Sequence, residues 1–345
     1  MFGVARRALF ALPPERAHDV ALGTLDWVMR VGLARRLIGQ VRDPRRLMGL
    51  TFANAVGLAA GLDKDGDHIN GLTGLGFGFL ELGTVTPVAQ PGNPAPRLFR
   101  IPDHEALINR LGFNNQGVDH LVERVETAQA NVPIGINIGK NRDTPLEHAT
   151  DDYLRCLEAV YDSADYIVVN LSSPNTPGLR RLQEGQELTG LVQTLIARRD
   201  ALADARGRRA PLLVKIAPDL DDDPIRALVD ALRECGVDGI TATNTTIARP
   251  DVREDPVAEE AGGLSGAPLR DRATAVVRLV RETAGPDLPI IAVGGILNAA
   301  DAVEKMQAGA DLVQIYTGFI YRGPGLIRDA AKAIATASPT MTHLS

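Results

Sequence analysis

Between residues 52 and 315, short apolar or β-branched runs recur, each closed by Gly, Asn, Thr or Lys and followed by a stretch of helical periodicity. Eight such runs stand out: Ala55–Leu58, Phe79–Val85, Ile134–Ile138, Tyr166–Asn170, Leu212–Ile216, Gly239–Thr243, Ile290–Val293 and Leu312–Ile315. Helical patterns such as Asp151–Asp162, Glu187–Ala205, Asp223–Cys235 and Ala299–Ala308 separate them. That alternation belongs to a parallel sheet with both faces covered. Eight units within about 290 residues predict a closed (β/α)8 or TIM barrel rather than an open doubly wound sheet.

The chain before residue 46 has a different texture. It reads as short helices broken at Pro13-Pro14 and around Gly32, with Ala17, Val20, Ala21, Leu25 and Val28 forming an apolar stripe. Arg16, Asp19, Asp26 and Arg30 lie opposite, so the segment either rests in a membrane interface or packs as a helical hairpin on the main domain. Three parts are expected: an N-terminal helical extension over 1–45, a barrel over 46–338 and a tail over 339–345.

Charge bears on the first of those two readings and leaves the second open. Residues 1–46 carry nine Arg against four acids, a net +5 in a chain of net −6, which leaves −11 for the rest. A basic extension on an acidic body suits an anionic lipid surface better than nucleic acid, and no nucleic-acid partner is expected. No apolar run approaches the roughly 18 residues needed to span a bilayer, and no cleavable signal precedes the domain. Cys156 and Cys235 read as core thiols in a reducing compartment. The six histidines show no metal-ligand spacing, so no metal is expected.

Two connections exceed ordinary loop length and invite a functional reading. Pro87 to Asn114 is rich in Pro, Gly and Asn, with a strand expected over Pro96–Ile101; Thr246 to Gly266 ends in Gly-Gly-Leu-Ser-Gly and reads as a lid beside the barrel mouth. The run Gly74-Leu75-Gly76-Phe77-Gly78 imitates a dinucleotide fingerprint, but it lacks the final glycine and precedes a strand instead of following one.

In a (β/α)8 barrel the active site lies where the strands end, and here those ends are polar. Small residues after the last two strands, Gly294-Gly295 and Tyr316-Thr317-Gly318, let backbone N–H groups approach an anion, which predicts a phosphate site. Lys215 sits inside Leu-Leu-Val-Lys-Ile-Ala, where an unpaired ammonium is costly. A flavin fits beside it, because a fixed cation stabilises the anionic reduced ring; a lysine reaching the barrel end for solvent is the alternative. Asn109, Asn114, Asn137, Asn170, Asn175 and Asn244 cluster at these ends, and side-by-side amide donors and acceptors match the edges of a pyrimidinedione or flavin. A flavin-free phosphate-binding barrel would share the last-strand glycines.

Long motifs then narrow the choice. Ala-Ala-Gly-Leu-Asp-Lys-Asp-Gly (59–66), Glu-Leu-Gly-Thr-Val-Thr-Pro (81–87), Asn-Arg-Leu-Gly-Phe-Asn-Asn (109–115) and Ser-Ser-Pro-Asn-Thr-Pro-Gly-Leu-Arg (172–180) resemble dihydroorotate dehydrogenase motifs. The resemblance continues through Gly-Gly-Leu-Ser-Gly (262–266), Val-Gly-Gly-Ile (293–296) and Gln-Ile-Tyr-Thr-Gly (314–318). Pro14-Glu15-Arg16-Ala17-His18 resembles the helical extension of the quinone-linked class 2 enzymes.

That resemblance implies an FMN enzyme that oxidises dihydroorotate to orotate for pyrimidine synthesis, with a membrane quinone as acceptor, held peripherally on the cytoplasmic face of the cell membrane. The implied FMN contacts are Ala60, Gly61, Leu62, Asp63, Lys64, Thr84, Asn137, Asn170, Lys215, Thr243, Gly266, Gly295, Tyr316 and Thr317. The implied substrate contacts are Lys64, Asn109, Arg110, Leu111, Gly112, Phe113, Asn170, Asn175, Asn244 and Thr245. Ser173 matches the catalytic base, taking the C5 proton while hydride passes from C6 to flavin N5, and Thr176 matches its relay. A serine base is chemically unusual, since no histidine stands at motif distance to activate it. The cytosolic class carries cysteine at that position, and neither Cys156 nor Cys235 is there, which assigns the chain to the membrane class. Arg100, Tyr316 and His18 are expected near the quinone head.

Overall fold

The computed structural model describes residues 2–30, 39–176, 178–183 and 185–337. Two helices, α1 (Phe2–Phe10) and α2 (Pro14–Arg30), precede a hairpin of β1 (Arg45–Leu47) and β2 (Leu50–Phe52). The repeat opens with β3 (Val56–Leu58), α3 (Ile69–Thr73) and β4 (Phe79–Val85). After an excursion through β5 (Leu98–Ile101) and β6 (Ala106–Asn109), α4 (Val118–Thr127) leads to β7 (Ile134–Ile138), α5 (Ala149–Val160) and β8 (Tyr166–Asn170). There follow α6 (Gly185–Arg206), β9 (Leu212–Ile216), α7 (Asp222–Cys235) and β10 (Gly239–Ala242). A second excursion contains β11 (Gly263–Gly266), and α8 (Arg270–Ala284), β12 (Ile290–Val293), α9 (Ala299–Gln307), β13 (Leu312–Ile315), α10 (Thr317–Arg322) and α11 (Gly325–Ala337) complete the chain.

The eight expected strands close into one parallel barrel in the order β3-β4-β7-β8-β9-β10-β12-β13, with β13 hydrogen-bonded back to β3. Its floor is filled by aromatic rings. Phe79 and Tyr166 meet edge to face at 6.4 Å. A Cβ at Gly135 would stand 2.1 Å from the Tyr166 ring, so only glycine leaves room for it there. Above the rings the interior turns polar: Glu81 accepts from Asn137 Nδ2 at 2.8 Å and from Gln314 Nε2 at 2.6 Å, joining β4, β7 and β13 across the barrel.

The two long excursions pair with each other. β11, β6 and β5 form an antiparallel sheet beside the strand ends, with Gly263 opposite Asn109 and Gly266 opposite Ala106. The strand expected over Pro96–Ile101 occupies Leu98–Ile101, while β6 and the sheet itself arise from contacts distant in sequence.

The extension packs on the barrel through α2, whose buried residues are Ala17, Leu22 and Met29. Asp26 meets His68 at 2.6 Å and Glu15 meets Arg97 at 2.9 Å. Val20, placed in the apolar stripe from sequence, turns outward and is 44% exposed, while Leu22 and Met29 take the core-facing positions. Asp26, expected on the open face, packs toward α3. The expected break around Gly32 and the tail over 339–345 lie outside the described residues. Cys156 and Cys235 are buried free thiols.

Candidate active site

A cleft opens where the barrel strands end, roofed by the β5-β6-β11 sheet. Residues from seven strand ends line it: Ala60, Gly61 and Lys64; Thr84; Asn170, Ser173 and Asn175; Lys215; Thr243, Asn244 and Thr245; Gly294 and Gly295; Tyr316 and Thr317. From the roof come Asn109, Leu111, Gly112, Phe113 and Gly266. A barrel converges side chains this way because every strand of a parallel sheet ends on the same face.

Five residues expected at the site do not line the cleft. Arg110 turns away: its guanidinium pairs with Glu260 at 2.5 Å and covers the Phe99 ring at 4.6 Å, because alternation along β6 and its extension sends the neighbour of Asn109 to the opposite side. Asp63 caps the turn below, accepting from His68 N at 2.9 Å and Asp67 N at 3.1 Å, and burial raises its pKa. Leu62 is buried under α2. Asn137 is fully buried behind Thr84, whose hydroxyl donates to Asn137 Oδ1 at 2.5 Å. Thr176 is buried three residues beyond Ser173 without reaching the cleft wall.

The amides are held in two hydrogen-bonded groups. Asn170 Nδ2 donates to Thr84 Oγ1 at 2.9 Å and to Asn137 Oδ1 at 3.1 Å. Asn244 Nδ2 donates to Ser172 Oγ at 3.0 Å, and Asn175 Nδ2 to Asn109 Oδ1 at 3.2 Å. Each amide is therefore oriented by a neighbour before any ligand arrives, which lowers the cost of binding a planar heterocycle. Ser173 Oγ accepts from Asn175 N at 3.2 Å; among the described residues its own O–H has no acceptor.

Two lysines reach the cleft. The Lys215 and Lys64 pKa values are both lowered by burial, an effect opposed at Lys215 by Glu81 and at Lys64 chiefly by Asp65. Among the described residues neither side-chain nitrogen has a hydrogen-bond partner; Lys215 is buried and Lys64 half-buried, so both are donors open to a ligand in the cleft. Burial pushes the Tyr316 phenol up to about 12; its hydroxyl donates to Gly61 O at 3.3 Å. At the far end, Gly295 has φ +74°, and a Cβ there would stand 2.2 Å from the Arg270 Cα. The Gly294–Gly295 turn is thus compressed against α8 and exposes backbone to the cleft.

Sequence reasoning did not assign Glu81, Gln314 or Ser265 to the site. Gln314 and Ser265 line the cleft, Ser265 sharing a 2.8 Å hydrogen bond with Thr317. Gln314 Oε1 is buried without a partner, an acceptor left open beneath the ligand space. A Gln or Glu in the middle of a run of otherwise apolar strand residues was the available signal.

A second, apolar cavity of 630 Å³ lies between the extension and the barrel, walled mainly by Phe, Leu, Ala and Val of α1 and α2. Arg100, His18 and Tyr316 all line it, and Tyr316 faces the first cleft as well. Arg100 donates to the carbonyls of Leu12 at 2.9 Å and Phe10 at 3.2 Å and stacks over the Phe10 ring at 4.6 Å. Burial, then Lys64 and His68, lower the His18 pKa to about 4, so the imidazole is neutral near neutrality.

A parallel barrel with oriented amides, two lysines without a hydrogen-bond partner among the described residues and an adjoining apolar cavity defines a ligand-binding (β/α)8 barrel with its site at the strand ends. The family model for dihydroorotate dehydrogenase matches residues 44–337. A protein of Alkalilimnicola ehrlichii named dihydroorotate dehydrogenase (quinone) is 55% identical over 337 residues, covering 97% of this chain and 99% of its own. One of the same name from Azotobacter vinelandii is 54% identical, covering 99% and 100%. A crystal structure of DHODH from Eimeria tenella in complex with ferulenol superposes with a TM-score of 0.84 at 38% identity, covering 93% of this chain and 90% of that one. The chain belongs to the dihydroorotate dehydrogenase family.

Proposed function

We propose that the protein oxidises (S)-dihydroorotate to orotate in de novo pyrimidine (UMP) synthesis, with FMN in the cleft and a membrane quinone as electron acceptor. The observation that carries this reading is the meeting, in one cleft, of Ser173 with an uncommitted hydroxyl, four oriented amides and the partnerless Lys64 and Lys215.

FMN fits the residues present. Ala60, Gly61, Lys64, Thr84, Asn170, Lys215 and Thr243 would hold the ring, with Leu62, Asp63 and Asn137 supporting from behind. Gly266, Gly295, Tyr316 and Thr317 would hold the phosphate end. When bound, the flavin supplies the acceptor for the hydride leaving C6 of the substrate. Everything else is done by side chains. Asn109, Asn170, Asn175 and Asn244 grip the imide edge, while Leu111, Gly112, Phe113 and Thr245 close the pocket and exclude water. Lys64 offsets the substrate's carboxylate charge, and Arg110 acts only by bracing the roof through Glu260. Ser173 takes the C5 proton, acidified by the adjacent C4 carbonyl, as its own hydroxyl proton leaves by a relay of Thr176 and a trapped water beside Phe113, the water being needed because Thr176 does not itself line the cleft.

Lys215→Ala tests the cofactor assignment. FMN retention falls, and flavin reduction in the fraction still loaded slows roughly 10- to 100-fold, because a fixed positive charge beside the ring is lost. Full flavination with unchanged reduction kinetics counts against it.

The apolar cavity under α1 and α2 is the proposed quinone passage, with Arg100, His18 and Tyr316 at its inner polar end. Among the described residues no helix is long and apolar enough to cross a membrane. Attachment is proposed to be peripheral, to anionic lipid at the cytoplasmic face. Val4, Val20 and Trp27 point outward from the two helices at 75%, 44% and 64% exposure, alongside Arg7, Arg16 and Arg30. Trp27→Ala lowers binding to anionic vesicles roughly tenfold, since burying a large apolar side chain is worth roughly 1.5 kcal/mol or more. Unchanged co-sedimentation removes Trp27 from the lipid contact.

A further inference from the structure

Three loops at the barrel mouth are tied together by one ion pair that does not line the cleft. Arg180 Nε donates to Ser172 O at 3.1 Å, its Nη1 to Asp219 Oδ2 at 2.7 Å and its Nη2 to Thr245 O at 3.1 Å. Those three partners lie in the loops that follow β8, β9 and β10. Asp219 also accepts from the Thr246 hydroxyl, and from Ile247 N at 3.2 Å. Of the neighbouring cations, Arg249 is committed to the carbonyls of Thr246 and Gly262 at 3.0 and 2.6 Å, and Arg272 to those of Pro218 and Leu220 at 2.9 and 2.5 Å. Both side chains of the pair are largely shielded, at 23% and 16% exposure.

The contacts fall one residue away from the chemistry. Ser172 precedes Ser173, and Thr245 follows Asn244, and both of those neighbours face the cleft. Thr246 continues the chain of contacts, exchanging backbone hydrogen bonds with Leu264 at 3.1 and 2.7 Å beside Gly263, whose carbonyl accepts from Asn109 Nδ2 at 3.4 Å. A planar guanidinium with donors to three loops fixes their mutual spacing as an ammonium cannot.

We infer that Arg180 and Asp219 are positioning residues that set the distance between Ser173 and Asn244 across the substrate. The inference rests on reading Ser173 as the proton acceptor. It assigns no contact with substrate to either residue; their effect passes through backbone carbonyls and one short loop. A displacement of about 1 Å at a reacting group costs on the order of 100-fold in rate, so the pair's influence on turnover exceeds what its place outside the cleft suggests.

The test uses full-length, FMN-loaded protein carrying Asp219→Asn, Arg180→Lys, Arg180→Met, or Arg180→Met with Asp219→Asn. Flavin reduction at saturating dihydroorotate is expected to fall about 10- to 100-fold in each single variant. The double variant is no slower than the worse single one, because the two residues act as a unit. Amide exchange quickens over residues 171–176 and 244–249 only, while FMN content and Tm stay near wild type. Arg180→Lys keeps the charge and fails to restore the rate. Wild-type reduction in both Asp219→Asn and Arg180→Met overturns the inference. So does faster exchange throughout the barrel with loss of FMN, which would make the pair merely structural. Ser173→Ala, run beside them, separates this inference from the one beneath it: if that variant reduces flavin normally, the base assignment fails, and loop spacing is then decided by local exchange and orotate affinity alone.

Discussion

Ser173→Ala reduces its flavin with dihydroorotate at least about 100-fold more slowly than wild type while retaining FMN, because general-base catalysis of this kind contributes about 10²- to 10⁴-fold. The structure makes this a clean substitution. Ser173 is buried, its Oγ accepts a backbone hydrogen bond from Asn175, and among the described residues no other side chain bonds to it. Its removal therefore takes the proposed proton acceptor and leaves the side-chain hydrogen bonds of Asn170, Asn175 and Asn244 in place. Anaerobic single-turnover bleaching, monitored by flavin absorbance, measures the step directly, and bleaching at the wild-type rate ends the assignment. A cysteine at the same position offers a second check. A thiol titrates nearer neutrality, so Ser173→Cys should regain part of the rate at neutral pH.

Deleting residues 1–40 should separate the two half-reactions. Every residue assigned to FMN or substrate lies at position 60 or later, so flavin reduction by dihydroorotate is expected to stay within about threefold of wild type. Reoxidation by a long-chain quinone should fall by more than about tenfold, since the apolar walls of the 630 Å³ cavity come largely from α1 and α2. Association with anionic vesicles should fall as well, and in the intact protein it should weaken as salt screens the Arg side chains. The truncation uncovers Leu62, Leu75 and Phe319 and frees Arg97 and His68 from their partners on α2, so flavin content has to be verified before the kinetics are read. A soluble, flavinated truncation that still reduced quinone and bound vesicles normally would leave the extension with a packing role only.

The barrel was legible because its signal is local. Each strand is a short apolar run that ends in polar or small residues, and the observed bounds depart from the expected ones by a single residue at Ala55 and at Thr243. The polar strand ends also pointed to one side of the barrel, and Ser173, Lys215 and most of the asparagines do line a common cleft there. What stayed hidden depends on partners far away in sequence. The β5-β6-β11 roof joins residues near 100 to residues near 264, and nothing within either loop announces the other. Glu81 and Gln314 form one hydrogen bond across 233 residues. Val20 and Leu22 were exchanged because a stripe read from periodicity gives a face but not which neighbour covers it. Arg110, Leu62 and Asp63 carry motif positions whose side chains serve the wall behind the cleft.

The barrel seam has a consequence for how the protein is made. The first barrel strand, Val56–Leu58, takes its second neighbour from Leu312–Ile315, the last. A chain emerging from the ribosome therefore holds an open sheet with two unpaired edges until residues 312–315 have been synthesised. The cleft wall contributed by Tyr316 and Thr317 arrives at the same moment, beside Gly61 at the other end of the sequence. Any ligand held between them can be enclosed only once residues 316 and 317 have been made, and chains cut short before β13 are exposed to aggregation along both free edges.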